Sequence, residues 1–181
     1  MNISVFLSYP NPYLDRQRQF IARLEDYLTE RGFSPRTLGV TDYDVDAPLK
    51  AIRRLMLESN GLITVAFRRS LITAGESRPA TDLPGLRSAS LAGSWLTSPY
   101  CQIEPAMAYQ IGLPVLIFRE AGVIADGILE KGVLGTYMPE FDLDRPLDDY
   151  FRSRELREML GKWEGFARAV VETKGNPPKL Y

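Results

Sequence analysis

Side chains able to do chemistry are unevenly supplied in this sequence. Histidine is absent and cysteine occurs once, at Cys101. That excludes a Ser-His-Asp triad, a Cys-His dyad and an HExxH metal motif, and a lone cysteine cannot build a structural zinc site. No metal site is expected. Chemistry has to run on carboxylates, hydroxyls, lysine or arginine, or on a leaving group that is already cationic and needs no proton. The most informative stretch is SPYCQIEPAMAYQIGLPVLIF, residues Ser98 to Phe118. Ser98-Pro99 reads as an N-cap followed by proline at the first helical position. Pro105 lacks an amide hydrogen and restricts the residue before it. A kink at Glu104, or a short turn with the helix restarting at Pro105, is therefore expected. Either way Glu104 lies near a helix N-terminus, where the dipole favours the ionised carboxylate. Taken alone, Glu104 is equally an ordinary N-terminal helix carboxylate, Cys101 a small buried residue, and Tyr100 and Tyr109 core or rim aromatics.

The elements that must position this segment alternate along the chain. Ile3 to Tyr9 reads as a first strand, and Leu14 to Arg31 as a helix whose Phe20, Ile21, Leu24, Tyr27 and Leu28 share a face. Phe33 to Leu38 is a second, short strand. Gly39 to Asp46 is a polar loop carrying Asp42, Asp44 and Asp46, and Asp46 caps a helix over Ala47 to Ser59. Leu62 to Phe67 is a third strand, apolar throughout as expected of one covered on both faces. Ser98 to Ile111 is helical and Pro114 to Phe118 a fourth strand. Gly122 to Lys131 reads as a short helix, Val133 to Leu143 as a fifth strand, and Arg152 to Thr173 as a closing helix with Leu156, Met159, Leu160, Trp163, Phe166 and Val170 on one face. Ser70 to Thr97 has no clean period and reads as a long loop or partly ordered insertion, either a lid or a surface excursion. The expected domain is residues 1–174, with 175–181 an extended tail. Strict alternation argues for a parallel sheet with helices on both faces. In such sheets the loops after Ser8, Leu38 and Phe67 converge on one crevice beyond the carboxyl ends of the strands.

With 181 residues, 45% apolar, 25% charged and a net charge of −1, the composition is that of an ordinary globular domain. It carries no footprint for nucleic acid, no apolar run long enough for a membrane span and no signal-like start. One cysteine suits a reducing compartment, so a cytoplasmic location is expected.

Tyr100-Cys101-Gln102-Ile103-Glu104 resembles the Trp-Cys-x-x-Glu motif of Toll/interleukin receptor (TIR) domains, and Phe6-Leu7-Ser8-Tyr9 is similar to that family's first-strand signature. The resemblance covers roughly residues 1 to 120 without the 70–97 insertion. It implies a flavodoxin-like fold, a five-stranded parallel sheet of order 2-1-3-4-5. In the bacterial NAD-cleaving branch it implies cleavage of the N-glycosidic bond of NAD, by hydrolysis or cyclisation to a cyclic ADP-ribose, in antiviral signalling. NAD would then be a substrate and no cofactor would be needed. The implied catalytic residue is Glu104. Phe6, Ser8, Tyr9, Tyr100, Cys101 and Asp46 would contact substrate, and Arg78 and Arg87 of the insertion could pair with its pyrophosphate. Self-association is expected, with a downstream effector sensing any cyclic nucleotide product.

Glu104-x-x-x-Ala108-x-x-x-Gly112-x-Pro114-Val115 is also similar to a pattern of the nucleoside 2-deoxyribosyltransferases, which use the glutamate as nucleophile on the anomeric carbon. Their Asp-x-Gly-Thr segment is missing here. Both resemblances imply a ribosyl C–N bond broken through an oxocarbenium-like state beside a fixed carboxylate. They differ at the leaving group. Nicotinamide departs neutral, whereas a purine or pyrimidine departs as an anion and needs an acid, for which Asp42, Asp44 or Asp46 is the candidate. A non-catalytic TIR scaffold is the remaining alternative.

Overall fold

The computed structural model describes residues 3–45, 47–134 and 139–173, with side chains described as far as residue 170. The elements are β1 (Ile3–Ser8), α1 (Asp15–Glu30), β2 (Phe33–Arg36), α2 (Pro48–Leu57), β3 (Leu62–Ala66), β4 (Ser70–Leu71), β5 (Glu76–Ser77), β6 (Ala89–Ser90), β7 (Trp95–Leu96), α3 (Tyr100–Gln110), β8 (Val115–Arg119), a 3-10 turn over Gly127–Leu129, α4 (Leu147–Arg152) and α5 (Arg154–Thr173).

Four strands form the central sheet in the order β2-β1-β3-β8, all parallel. This is the expected α/β arrangement with flavodoxin-like order, one strand short. In the fifth place stands a single parallel bridge, Phe141 to Glu120. Phe141 N donates to Arg119 O at 3.2 Å and Ala121 N donates to Phe141 O at 2.8 Å. Residues 135–138 of the expected fifth strand lie outside the described residues.

Side-chain alternation divides the core between the two faces. Val5, Leu7, Ile63, Val65, Leu116 and Phe118 meet α1 and α5, while Phe6, Leu62 and Val115 meet α2 and α3. Phe20 of α1 stacks on Phe141 at 4.2 Å and meets Phe67 and Phe118 edge-on at 5.8 and 5.9 Å. That contact seats the 139–143 segment where a fifth strand would lie.

The closing helix is α5, set off from the short α4 because Ser153 is extended and its hydroxyl accepts from Leu156 N to start α5. One expectation about it needs correction. The buried stripe of α5 is Leu156, Leu160, Trp163, Ala167 and Val170, and Phe166 is exposed, one position off that stripe. Residues 70–97 are a partly ordered insertion. They fold as a hairpin-like arm in which β4 pairs with β7 and β5 with β6, both antiparallel. Its base is fixed by Trp95, which bridges to Val123 and lies under the Arg68 guanidinium. Most of the arm beyond it is exposed.

Among the described residues no helix is long and apolar enough to cross a membrane. Gly61, just before β3, is the tightest backbone position. A Cβ there would stand 2.8 Å from the Trp163 ring. The ring cannot readily retreat, because it is buried and its Nε1 donates to Pro114 O at 3.2 Å. Gly61→Ala should therefore cost about 1–3 kcal/mol of stability, as overpacking does. Urea unfolding of the variant measures it, and an unchanged midpoint would mean that the ring does give way.

Candidate active site

Ser8 is the last residue of β1 and faces α3, on the same side of the sheet as Phe6. Above it runs α3, which continues through Pro105 as one helix. The helix does not restart at Pro105. The proline removes only the amide that would bond to the Cys101 carbonyl, near the start of the helix. The helix begins one residue later than the sequence suggests. Ser98 Oγ accepts from Tyr100 N at 3.3 Å, and Ser98 O accepts from Cys101 N at 2.9 Å. This entry turns Glu104 inward, and the residue is only 7% exposed.

Glu104 lies on a cavity of about 330 Å³ whose wall includes Ser8, Tyr9, Asn11, Leu38, Ile52, Arg69, Ser98 and Tyr100. The wall comes from the end of β1, the chain after β2 and after β3, and the first turns of α2 and α3. The crevice is therefore where the strand order places it, beyond the carboxyl edge of the sheet.

Burial pushes the Glu104 carboxyl up to about 7, and a hydrogen bond with Ser8 pulls against that shift without cancelling it. This corrects the expectation that the helix dipole keeps the group ionised. Glu104 is the fifth residue of the helix, past the turn where the dipole acts, and desolvation dominates. Glu104 is also the single carboxylate on the cavity wall among the described residues. Tyr9 is half-buried there. Burial raises its phenol, while a hydrogen bond with Thr37 lowers it and nearby Glu25 raises it.

The other candidates separate. Tyr100 lines the cavity and is part-exposed. Phe6 does not reach it, since it is 1% exposed within the core beneath α2 and α3. Cys101 does not reach it either. Its thiol is buried with Ala66, Val123 and Leu129, and burial pushes it up to about 12, so it is a core residue rather than a nucleophile. Arg78 and Arg87 sit exposed on the arm and are not among the lining residues. Asp46 lies outside the described residues. Asp42 is engaged by Arg36, with Arg36 Nε donating at 3.1 Å, and that contact holds its carboxyl below the usual range. Asp42 is therefore a poor proton donor. Asp44 accepts from Arg54 Nε at 3.0 Å. Among the described residues, no group of three or more cysteine or carboxylate side chains converges as a metal site would require.

The sequence reading missed Arg69. It stands between β3 and β4, three residues past the end of β3, lines the cavity, and has no ion-pair partner among the described residues. Its place beyond a strand end was the available signal. It also missed Gln17, a buried polar residue on the apolar face of α1. Gln17 Oε1 accepts from Tyr13 N at 3.0 Å, and its Nε2 donates to Arg68 O at 3.2 Å. Arg68 N in turn donates to buried Glu120 at 2.7 Å. The loop after β1 and the chain after β3 are thus tied together behind the cavity.

No family model matches the chain, and no curated protein matches it. Among solved structures it is similar to the CMP N-glycosidase BcmB of Clostridium botulinum. The identity is 16%, the TM-score 0.48, and the match covers 88% of this chain and 98% of that one. The comparisons do not support the TIR likeness, and no family is shown by them.

A buried carboxyl whose proton is held to about pH 7 leaves a signature in stability. Between the ordinary value of 4.5 and about 7 the folded state binds the extra proton. Stability therefore falls as pH rises through that window, and the cost is fully present above it. Glu104→Gln should gain on the order of 3 kcal/mol over wild type at pH 8, and little at pH 5. Denaturant unfolding at both pH values checks this. An equal gain at the two would show that ionisation of Glu104 is not the cause.

Proposed function

We propose that this chain is an N-glycosidase that cleaves the C1′–N bond of a ribonucleotide, with Glu104 facing the sugar. The observation that carries this reading is a buried carboxylate, the single one among the described wall residues, on a small cavity at the carboxyl edge of the sheet. Breaking the bond sends its electron pair to the base and leaves positive charge on C1′ and the ring oxygen. A fixed carboxylate in a water-poor site stabilises that charge, or traps it as an ester that water then opens. Water supplies the hydroxyl to C1′, and its remaining proton goes to the base.

Two further features favour a nucleoside 5′-monophosphate. A cavity of about 330 Å³ is near the small end for ligand sites and suits a mononucleotide better than a dinucleotide. Arg69 offers an uncommitted guanidinium at its wall, matched to one phosphate. A second reading, NAD as substrate, is favoured by one observation. No second acid lines the cavity among the described residues, and nicotinamide needs none.

The test is turnover of nucleoside 5′-monophosphates, the parent nucleosides and NAD by purified protein, with products separated by chromatography. Monophosphates should be the best substrates. Glu104→Gln should lower kcat by about two to three orders of magnitude. Arg69→Ala should raise KM for the monophosphate at least about tenfold and leave the parent nucleoside unchanged. Preference for NAD, with release of nicotinamide, would move the assignment to the second reading. No turnover of any of them would leave a non-catalytic scaffold.

A further inference from the structure

Thr64, at the centre of β3, is fully buried, and its Oγ1 is one of the few buried side-chain atoms with no hydrogen-bond partner. An orphaned buried hydroxyl is destabilising, and valine would fill nearly the same space without that cost. The surroundings give it a use. Thr64 is the register partner of Ser8 across the parallel β1–β3 ladder. Register partners on adjacent parallel strands point to the same face, about 4.8 Å apart. Ser8 points towards α3 and lines the cavity with Glu104, so the Thr64 hydroxyl lies on that face, one strand spacing from Ser8.

The acceptor is undersupplied. An ionised carboxylate has about four lone-pair sites. The structure gives Glu104 one hydroxyl, from Ser8. The remaining groups facing it do not make up the deficit. Tyr9 comes from the loop after β1, Arg69 from the chain after β3, and Tyr100 and Cys101 from α3, while α2 presents Pro48 and Ile52. Among these Arg69 is the one cation, and it is exposed at the outer wall.

We propose that Thr64 is a positioning residue for Glu104, a reserve hydrogen-bond donor that the carboxylate takes up when it ionises against the positive sugar. In the resting site the carboxyl rests on Ser8. A small rotation of the Glu104 side chain brings its second oxygen to Thr64, so both hydroxyls hold the charged form in place. No bond is made or broken in this step. The inference rests on Glu104 being the working carboxylate of the proposed N-glycosidase.

The test compares wild type, Thr64→Val and Thr64→Ser in three measurements. These are melting temperature, the Glu104 carboxyl titration by 13C NMR, and the pH dependence of nucleotide cleavage. Thr64→Val should melt at the same temperature or higher, since it removes an orphan. It should nevertheless titrate Glu104 at higher pH, move the acidic limb of the rate profile up with it, and lower kcat about tenfold. Thr64→Ser should restore the titration and the limb. A Thr64→Val protein whose titration and limb both match wild type would overturn the proposal, whatever its melting temperature. The NMR titration needs no substrate. If wild type cleaves nothing and Thr64→Val still shifts the Glu104 titration, the hydrogen bond is supported and the proposed activity alone fails.

Discussion

A carboxylate removed from water has to be compensated by hydrogen bonds or by opposite charge, and otherwise it keeps its proton. Glu104 sits in that position. It is nearly buried, it has one hydroxyl partner, and its carboxyl is pushed up to about 7. The consequence is a group that is close to half ionised at neutral pH and costs stability when charged. A cationic sugar would supply the missing compensation, so the site is more complementary to the transition state than to its empty form. The same burial that weakens the fold above pH 7 strengthens the electrostatic interaction that the proposed reaction needs.

The walls around that carboxylate are held by polar groups that take no part in the cavity. Gln17 uses its amide oxygen to hold the loop after β1 and its amide nitrogen to hold the chain after β3. Glu120, just after β8, accepts from Arg68 N. These contacts fix the backbone on the N-terminal side of Arg69, and Arg69 N donates to Leu96 O at the base of the arm. The arm therefore adds order where it joins the sheet, although its outer part stays clear of the cavity. Supporting a site in this way leaves its charged side chain free to meet a ligand.

The acidic loop after β2 takes the opposite course. Arg36 bonds both Asp42 and Glu58, and Arg54 bonds both Asp44 and Glu58. Two of the three aspartates are thereby spent on holding the loop against α2. A mechanism that needs an acid for the leaving base cannot draw on them without breaking those pairs. Among the described residues, chemistry on the wall is left to Glu104, the hydroxyls of Ser8, Tyr9, Ser98 and Tyr100, and Arg69.

The alternation of apolar runs and amphipathic stretches pointed to a parallel α/β sheet with a crevice at the carboxyl ends of its strands, which follows from periodicity and chain connectivity. The order of the first four strands rested in addition on the resemblance to a flavodoxin-like family. The absence of histidine narrowed the chemistry to carboxylates, hydroxyls, lysine and arginine, and the family resemblances pointed among these to Glu104. The spacing of α1 predicted its buried face but not Gln17, whose burial depends on partners about fifty residues away. Phe6 and Cys101 sit in the same motifs as Ser8 and Tyr100, yet alternation and helix phase turn them into the core. The arm escaped detection because its ladders are two residues long and carry no period. The ionisation of Glu104 was read with the wrong sign for the same kind of reason. A helix position is visible in sequence, but the depth of a side chain below the surface is set only when strands, loops and helices close around it.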